Sequence, residues 1–355
     1  MKIRYNRRRM KKKFLWACVT LGLSVLAICA LFYNGGFSFE EFLQDIKNAS
    51  PAWLCAALLC ALAFIFFEGW ALTLILRTLG FSVKKRSGFL YAAADIYFSS
   101  ITPSATGGQP ASAYFMSKDG FRGSHVASAL LMNLTMYTLA LVTIGTFSIV
   151  FFPHVFVEFN TASKVMILFG IFAMAAMAAL FILLLKKQSL LLKIGRALVF
   201  ILNGLRLEKA AQKFNSKLDS AIKNYNDCVA VLAGKKSLLA KTYVLNLLQR
   251  SAQILVTVFC FFALGGNYQD GLKIFAIQAY VVLGSNFIPV PGAAGVSEFI
   301  MYFGYMMLLN EEAACGLAIL SRGISFYACT AISLAVVSVG YFAGGRNKNK
   351  EEAKQ

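Results

Sequence analysis

Long apolar runs dominate the chain, and polar residues are confined to the segments between them. Six runs are long enough to cross a bilayer: Phe14–Tyr33, Ala52–Leu79, Val126–Phe152, Ser163–Leu185, Leu238–Leu264 and Ala313–Phe342. A helix of about 20 apolar residues spans the roughly 30 Å hydrocarbon core of a membrane. The pattern therefore predicts an all-α polytopic membrane protein with about six transmembrane helices.

Two further apolar regions, 88–118 and 272–309, are each interrupted in the middle by proline and glycine. The interruptions read TPSATGGQP at Thr102–Pro110 and PVPGAAG at Pro289–Gly295. Proline removes a backbone donor and glycine weakens a helix. Non-helical backbone survives at membrane depth only where protein buries it or where it lines a wet cavity. We therefore predict two re-entrant hairpins of broken helices; two unrelated breaks in separate helices are the alternative.

The two interrupted regions have matching surroundings. Residues 52–152 and 238–342 both run span, broken hairpin, span, at nearly equal length. The charges of the loops indicate that these two units begin on opposite sides of the membrane. Such inverted repeats build the midplane sites of many secondary transporters. We therefore predict an inverted repeat whose two hairpin tips meet.

Charge placement predicts which side of the membrane each loop occupies. The formal net charge is +19, and eight of the first thirteen residues are Lys or Arg. Basic residues also fill alternate loops, while Glu and Asp dominate the others, which is the bias of cytoplasmic against external loops. The run at Phe14–Tyr33 is longer than the apolar core of a cleaved signal. The pattern predicts a plasma-membrane protein with both termini in the cytoplasm.

The predicted organisation has five parts. They are a basic cytoplasmic N-terminus (1–13), a first membrane half (14–185), a linker (186–237), a second membrane half (238–342) and a cytoplasmic tail (343–355). In the linker, apolar residues recur every three or four positions between basic ones, which indicates amphipathic helix. The linker is either a solvated connector or a helix on anionic lipid head groups.

Composition excludes several classes of protein. Hydrophobic residues make up 58% and charged residues 14% of the chain, which excludes a soluble globular enzyme. The positive charge lies in loops that flank apolar runs, so no nucleic-acid partner is expected. The two histidines, His125 and His154, are isolated and no CxxC pair occurs, so no metal or other cofactor is expected.

Few ionisable residues lie at membrane depth. Each costs about 2.5–3.5 kcal/mol at a helix centre on insertion scales, so each should face a partner or a cavity. Arg250 and Arg322 near unwound backbone favour an anion such as the phosphate of a lipid head group. Structural pairing with the acidic residues is the alternative. The predicted substrate-binding residues are Thr102, Ser104, Gly107, Gly108, Gln109, Pro289, Pro291, Gly292, Gly295, Glu298, Arg250 and Arg322, with Glu68 and Asp95 as intramembrane acidic residues.

Two motifs carry a family resemblance. The runs TPSATGGQPA at Thr102–Ala111 and MSKDG at Met116–Gly120 resemble the lysylphosphatidylglycerol synthase transmembrane regions, which include the flippase-like N-terminal part of MprF. The run IPVPGAAGVSE at Ile288–Glu298 is similar to the second signature of that family. The resemblance extends from about Phe14 to Phe342.

The resemblance implies a flippase-like protein that handles an anionic phospholipid, lysylphosphatidylglycerol or a lipid-linked substrate, with a link to cationic peptide resistance. The alternatives are a phosphatidylglycerol lysyltransferase, an accessory subunit of such an enzyme or a transporter of a soluble solute. Only thirteen residues follow the last predicted span, so we expect no transferase activity from the chain alone. No catalytic residue is predicted, because known hydrolase and P-loop motifs are absent. A homo-oligomer or a lipid-enzyme partner stays open.

The topology is tested by cysteine labelling from outside intact cells. Cysteines placed at Asn48 and Glu312 should react with an impermeant maleimide, and one placed at Lys209 should react only after permeabilisation. External labelling at Lys209 would overturn the predicted sidedness.

Overall fold

A computed structural model describes residues 39–187, 192–193, 196–197, 199–200 and 208–352, and all regular structure in this part is helical. The predicted span Phe14–Tyr33, the basic residues 1–13, the linker residues 201–207 and residues 353–355 lie outside the described part. The helices are α1 (Phe39–Asn48), α2 (Pro51–Thr78), α3 (Lys85–Ser100), α4 (Gly108–Lys118), α5 (Gly123–Phe151), α6 (Pro153–Glu158), α7 (Thr161–Lys186), α8 (Glu208–Ala233), α9 (Lys236–Ala263), α10 (Gly271–Ser285), α11 (Val296–Tyr305), α12 (Glu311–Arg322) and α13 (Cys329–Glu352).

In the described part of the chain, five helical segments are long and apolar enough to cross a membrane. They are α2, α5, α7, α9 and the continuous segment Glu311–Tyr341, in which a π-helical stretch at Gly323–Ala328 joins α12 to α13. Both ends of each of these segments lie within three residues of the ends predicted from the sequence. Local sequence sets several of these ends: the side chain of Asn160 caps α7 and that of Asn310 caps α12. The all-α polytopic architecture is thus confirmed.

Both interrupted regions form a pair of short helices with a break between them. Helices α3 and α4 pack against each other across residues 101–107, which we call the first break. Helices α10 and α11 pack against each other across residues 286–295, the second break. Long spans precede and follow each pair, so both halves share one order of elements. Their inverted relation stays a prediction.

Helix packing depends on small residues both within the first half and between the two halves. Helix α2 runs along α9 from the other half and also contacts α3. At the crossing of α2 and α3, a Cβ added to Gly88 would lie 2.4 Å from the carbonyl oxygen of Gly69. A Cβ added to Gly170 on α7 would lie 1.8 Å from the carbonyl oxygen of Leu283 on α10. Both hairpins are therefore seated on spans at glycine contacts.

The linker contains helix α8, whose apolar side chains are buried against protein. Leu218, Ile222, Tyr225 and Leu232 are buried, and α8 packs against α5 and α9. Burial also raises the pKa of Tyr225 to about 12. The apolar face of α8 is therefore covered by the membrane helices. Contact between the basic residues of the linker and anionic head groups stays a prediction.

The glycine contact between α2 and α3 generates a stability prediction. Gly88→Val should lower the melting temperature of the detergent-purified protein, because the new side chain meets Thr73 Oγ1 and the Gly69 carbonyl. Overpacking of this kind costs about 1–3 kcal/mol. Gly123→Val is the matched control, since a Cβ there has nothing within 4 Å. Equal melting temperatures for the two variants would contradict this account.

Candidate functional site

The first and second breaks lie in contact with each other, and the second break also contacts α3. This contact was expected, because each unwound segment carries backbone groups that lipid cannot satisfy. The tips of both hairpins thus meet inside the helix bundle.

The two breaks share one local conformation. Each contains a single 3-10 turn that starts at a proline, Pro103–Ala105 in the first and Pro291–Ala293 in the second. The second and third residues of each turn have positive φ: 50° and 54° at Ser104 and Ala105, and 60° and 51° at Gly292 and Ala293. A non-glycine residue in this region costs about 1–2 kcal/mol. Such strained backbone persists only where surrounding contacts hold it.

Side chains satisfy the backbone of the first break. The hydroxyl of Thr102 donates to the Phe98 carbonyl at 2.6 Å and accepts from the Gly107 N–H at 2.8 Å. The hydroxyl of Thr106 donates to the Pro103 carbonyl at 3.0 Å. At these two threonines, side-chain hydroxyl groups replace hydrogen bonds that the broken helix has lost.

An ion pair holds the second break. Arg322 Nε donates to Glu298 Oε1 at 2.8 Å, and Arg322 Nη2 donates to the Gly292 carbonyl at 2.7 Å. Glu298 Oε2 in turn accepts from the Gly295 N–H at 2.8 Å and from Ser297 Oγ at 2.9 Å. The Arg322 guanidinium also lies over the ring of Phe326, 4.4 Å from its centroid. Structural pairing of Arg322 is therefore what the structure shows.

A cavity of about 450 Å³ opens beside the two breaks and is lined by residues of both halves. Every element that lines it except α7 contributes at least one polar side chain, and α5 contributes Asn133, Tyr137 and Thr138. Its apolar lining includes Leu134, Met174, Met177, Phe181, Phe287 and Ile288. The cavity is thus lined by both polar and apolar side chains, and α7 contributes only apolar ones.

Two acidic side chains meet in this cavity. Glu68 on α2 and Asp95 on α3 have carboxyl groups within hydrogen-bonding reach of each other. Gln249 Nε2 donates to Glu68 Oε2 at 2.8 Å, and Gln109 Nε2 donates to Asp95 Oδ2 at 2.8 Å. Glu68 is buried, whereas Asp95 is partly exposed to the cavity. We call these two residues the carboxyl pair.

Arg250 on α9 lies beside the carboxyl pair and is buried, with 8% of its surface exposed. Its guanidinium carbon is 3.9 Å from the ring centroid of Tyr137 and 5.0 Å from that of Phe64. Its Nη1 donates to Gln253 Oε1 at 2.6 Å. Its Nε has no hydrogen-bond partner in the described part of the chain. A buried donor of this kind calls for an acceptor.

The predicted site residues fall into two groups. The cavity is lined by Glu68, Asp95, Ser104, Gln109, Arg250, Gly292 and Arg322. Thr102, Gly107, Gly108, Pro289, Pro291, Gly295 and Glu298 do not line it; these residues belong to the breaks, to the start of α4 and to α11.

Two glycines of the predicted site are closely packed against side chains. A Cβ at Gly108 would lie 1.9 Å from Asp95 Oδ1, and one at Gly292 would lie 2.3 Å from the ring of Phe326. Helix contact and break geometry therefore favour glycine at these positions.

Several polar residues of the site were missed from sequence. Gln253 and the neighbouring Gln249 belong to α9, Tyr137 and Asn133 to α5, and Gln278 and Asn286 to α10 or its end. Asn246 Nδ2 donates to Asn133 Oδ1 at 3.1 Å, which joins α9 to α5. A signal was present: Asn246, Gln249, Arg250 and Gln253 recur at helical spacing within an apolar run.

Taken together, the fold and site define an all-helical integral membrane protein with an amphipathic cavity between two broken helical hairpins. The family described as the lysylphosphatidylglycerol synthase TM region matches residues 19–333, so the chain belongs to this family. The chain is also similar to a UPF0104 membrane protein of Archaeoglobus fulgidus. The two are 24% identical over 297 residues, which cover 83% of this chain and 88% of that protein.

The ion pair of Arg322 and Glu298 generates a further stability prediction. Glu298→Gln should destabilise the protein by about 3–5 kcal/mol, because it leaves a buried arginine without its counter-charge. Chemical or thermal unfolding in detergent measures the loss.

The matched control for this prediction is Glu158→Gln. Its partner Lys273 lies 3.3 Å away in an exposed ion pair, and such pairs contribute about 1 kcal/mol or less. An equal loss at both glutamates would show that burial of the pair at the second break does not matter.

Proposed function

We propose that this protein binds and translocates an anionic phospholipid, whose phosphate lies against Arg250 in the cavity. The observation that supports this most directly is the buried guanidinium of Arg250, whose Nε lacks a partner in the described residues. Arginine binds phosphate oxygens through geometrically matched N–H donors, and such charge-assisted bonds are stronger than neutral ones. Arg322 also lines the cavity, but its charge is neutralised by Glu298, and its Nη2 stays bonded to the Gly292 carbonyl.

The apolar lining of the cavity favours a lipid over a soluble anion. Met174, Met177 and Phe181 line it from α7, and Leu134 lines it from α5. A free phosphate would gain nothing from these side chains, whereas an acyl chain would bury apolar surface against them, at about 25 cal/mol per Å². A volume of about 450 Å³ suits a head group and the start of its chains.

Helix α7 is the expected path for lipid entry. It is one of the two least buried candidate spans: 28% of its most apolar stretch is buried, compared with 22% for Glu311–Tyr341 and 61% for α9. Its outer face exposes Val165, Leu168, Phe169 and Phe172. Lipid outside α7 is therefore separated from the cavity by one loosely covered helix. The family description names a lysylphosphatidylglycerol synthase, which fits a phosphate-bearing glycerolipid.

Substitution of Arg250 tests this function. Arg250→Ala should weaken binding of fluorescent phosphatidylglycerol to the detergent-purified protein by about 10- to 100-fold, because charge-assisted bonds contribute about 1.5–3 kcal/mol. Arg250→Lys should recover only part of the affinity, since an ammonium cannot grip phosphate through two parallel bonds. In proteoliposomes, the same order of variants should appear in the rate at which labelled lipid changes leaflet.

Lys273→Ala is the control, because this lysine does not line the cavity and forms an exposed ion pair. Unchanged lipid affinity in Arg250→Ala would overturn the proposed site. Tighter binding of inorganic phosphate than of phosphatidylglycerol would favour a soluble anion instead.

A further inference from the structure

We propose that the carboxyl pair of Glu68 and Asp95 is a proton-binding site, and that binding of one anion at Arg250 is coupled to uptake of one proton there. This inference rests on the proposed function and concerns the same cavity. It adds the ion that accompanies the lipid and the side chains that carry it.

The first step concerns the charge of the pair itself. Two carboxylates within hydrogen-bonding reach cannot both stay ionised in a buried site, so they share a proton. Each carboxyl group also accepts one amide hydrogen, from Gln249 at 2.8 Å and from Gln109 at 2.8 Å. These amides hold both carboxyl groups in place. With one shared proton, the pair carries one negative charge.

The second step concerns Arg250, an observation independent of the acidic cluster. This arginine interacts with both Glu68 and Asp95. It is 8% exposed, and its Nε has no hydrogen-bond partner among the described residues. Without a ligand, one positive charge on Arg250 therefore balances one negative charge on the pair.

The third step is the balance with a ligand bound. A phosphodiester brings one negative charge to Arg250, and the pair would then carry an uncompensated charge in a medium where charge is costly. If a carboxylate oxygen takes a proton from a hydronium ion in the solvent, one O–H bond of that ion breaks, one O–H bond forms on the carboxyl group, and the pair becomes neutral. Arg250 and the phosphate then neutralise each other. One proton enters with each anion, and it leaves when the anion leaves.

Other titratable groups do not disturb this balance. Besides the pair, the cavity is lined by Tyr137 on α5, Arg250 on α9, Arg322 at the end of α12 and Cys329 on α13. Arg322 is neutralised by Glu298 on α11 at 2.8 Å. Helices α4, α7 and α10 and the two breaks line the cavity with uncharged side chains, and both histidines lie outside the cavity lining. The pair is thus the group that titrates against Arg250.

Proton uptake is measured directly with a pH dye in weakly buffered detergent solution. Addition of short-chain phosphatidylglycerol to the full-length protein should remove about one proton from solution for each lipid bound. Because binding and protonation are reciprocally linked, lipid affinity should fall about tenfold per pH unit across the pH range in which the pair holds a second proton only while lipid is bound. The phosphodiester stays singly charged over this range, so the slope does not arise from the lipid.

Variants locate the proton. Glu68→Gln with Asp95→Asn should bind lipid without proton uptake and without dependence on pH. Either single substitution leaves one carboxylate opposite Arg250, so the linkage should persist, with about one proton still taken up for each lipid bound. Glu158→Gln, an exposed carboxylate, should behave like the unaltered protein. Gel filtration checks that each variant is folded.

The outcomes separate this inference from the proposed function. Lipid binding with no proton uptake and a flat pH profile would overturn proton coupling and leave the lipid site standing. Absence of lipid binding by the unaltered protein would overturn both. If the double variant does not fold, the proton count and the pH slope of the unaltered protein decide the question by themselves.

Discussion

Non-helical backbone inside a membrane has to find its hydrogen bonds within the protein, and this constraint organises the whole structure. The two breaks contact each other, and Thr102 and the pair of Arg322 with Glu298 replace lost helical bonds. Lipid can provide none of these partners. Two hairpins that each carried a break in isolation would therefore be unstable at this depth, and their contact fixes where the cavity forms.

The same requirement separates the roles of the two intramembrane arginines. Arg322 gives its Nε and Nη2 to Glu298 and to the Gly292 carbonyl, so it stabilises the second break. Arg250 rests between the rings of Phe64 and Tyr137 and keeps a donor without a partner in the described residues. The two guanidinium groups carry the same charge and the same N–H donors. Their different roles therefore come from the residues that surround each side chain.

The acidic residues show a similar division. Glu298 is the third residue of α11 and accepts the N–H of Gly295, the residue that precedes the helix, while it also neutralises Arg322. Glu68 and Asp95 come from different helices and meet only because α2 and α3 pack closely at Gly69 and Gly88. The carboxyl pair therefore depends on a helix crossing that involves Gly69, the residue next to Glu68.

Sequence alone determined the helical class, five described spans to within three residues, the two breaks and the family. These features follow from local composition, because about 20 apolar residues, or one Pro-Gly cluster, produce the same effect in any context. Tertiary structure decided which polar groups meet. The periodic row Asn246, Gln249, Arg250 and Gln253 is visible in the sequence, but its partners on α2 and α5 are more than a hundred residues away. Only packing brings Gln249 to Glu68 and leaves Arg250 facing a cavity, since such pairings depend on the three-dimensional arrangement of helices and not on spacing within one of them.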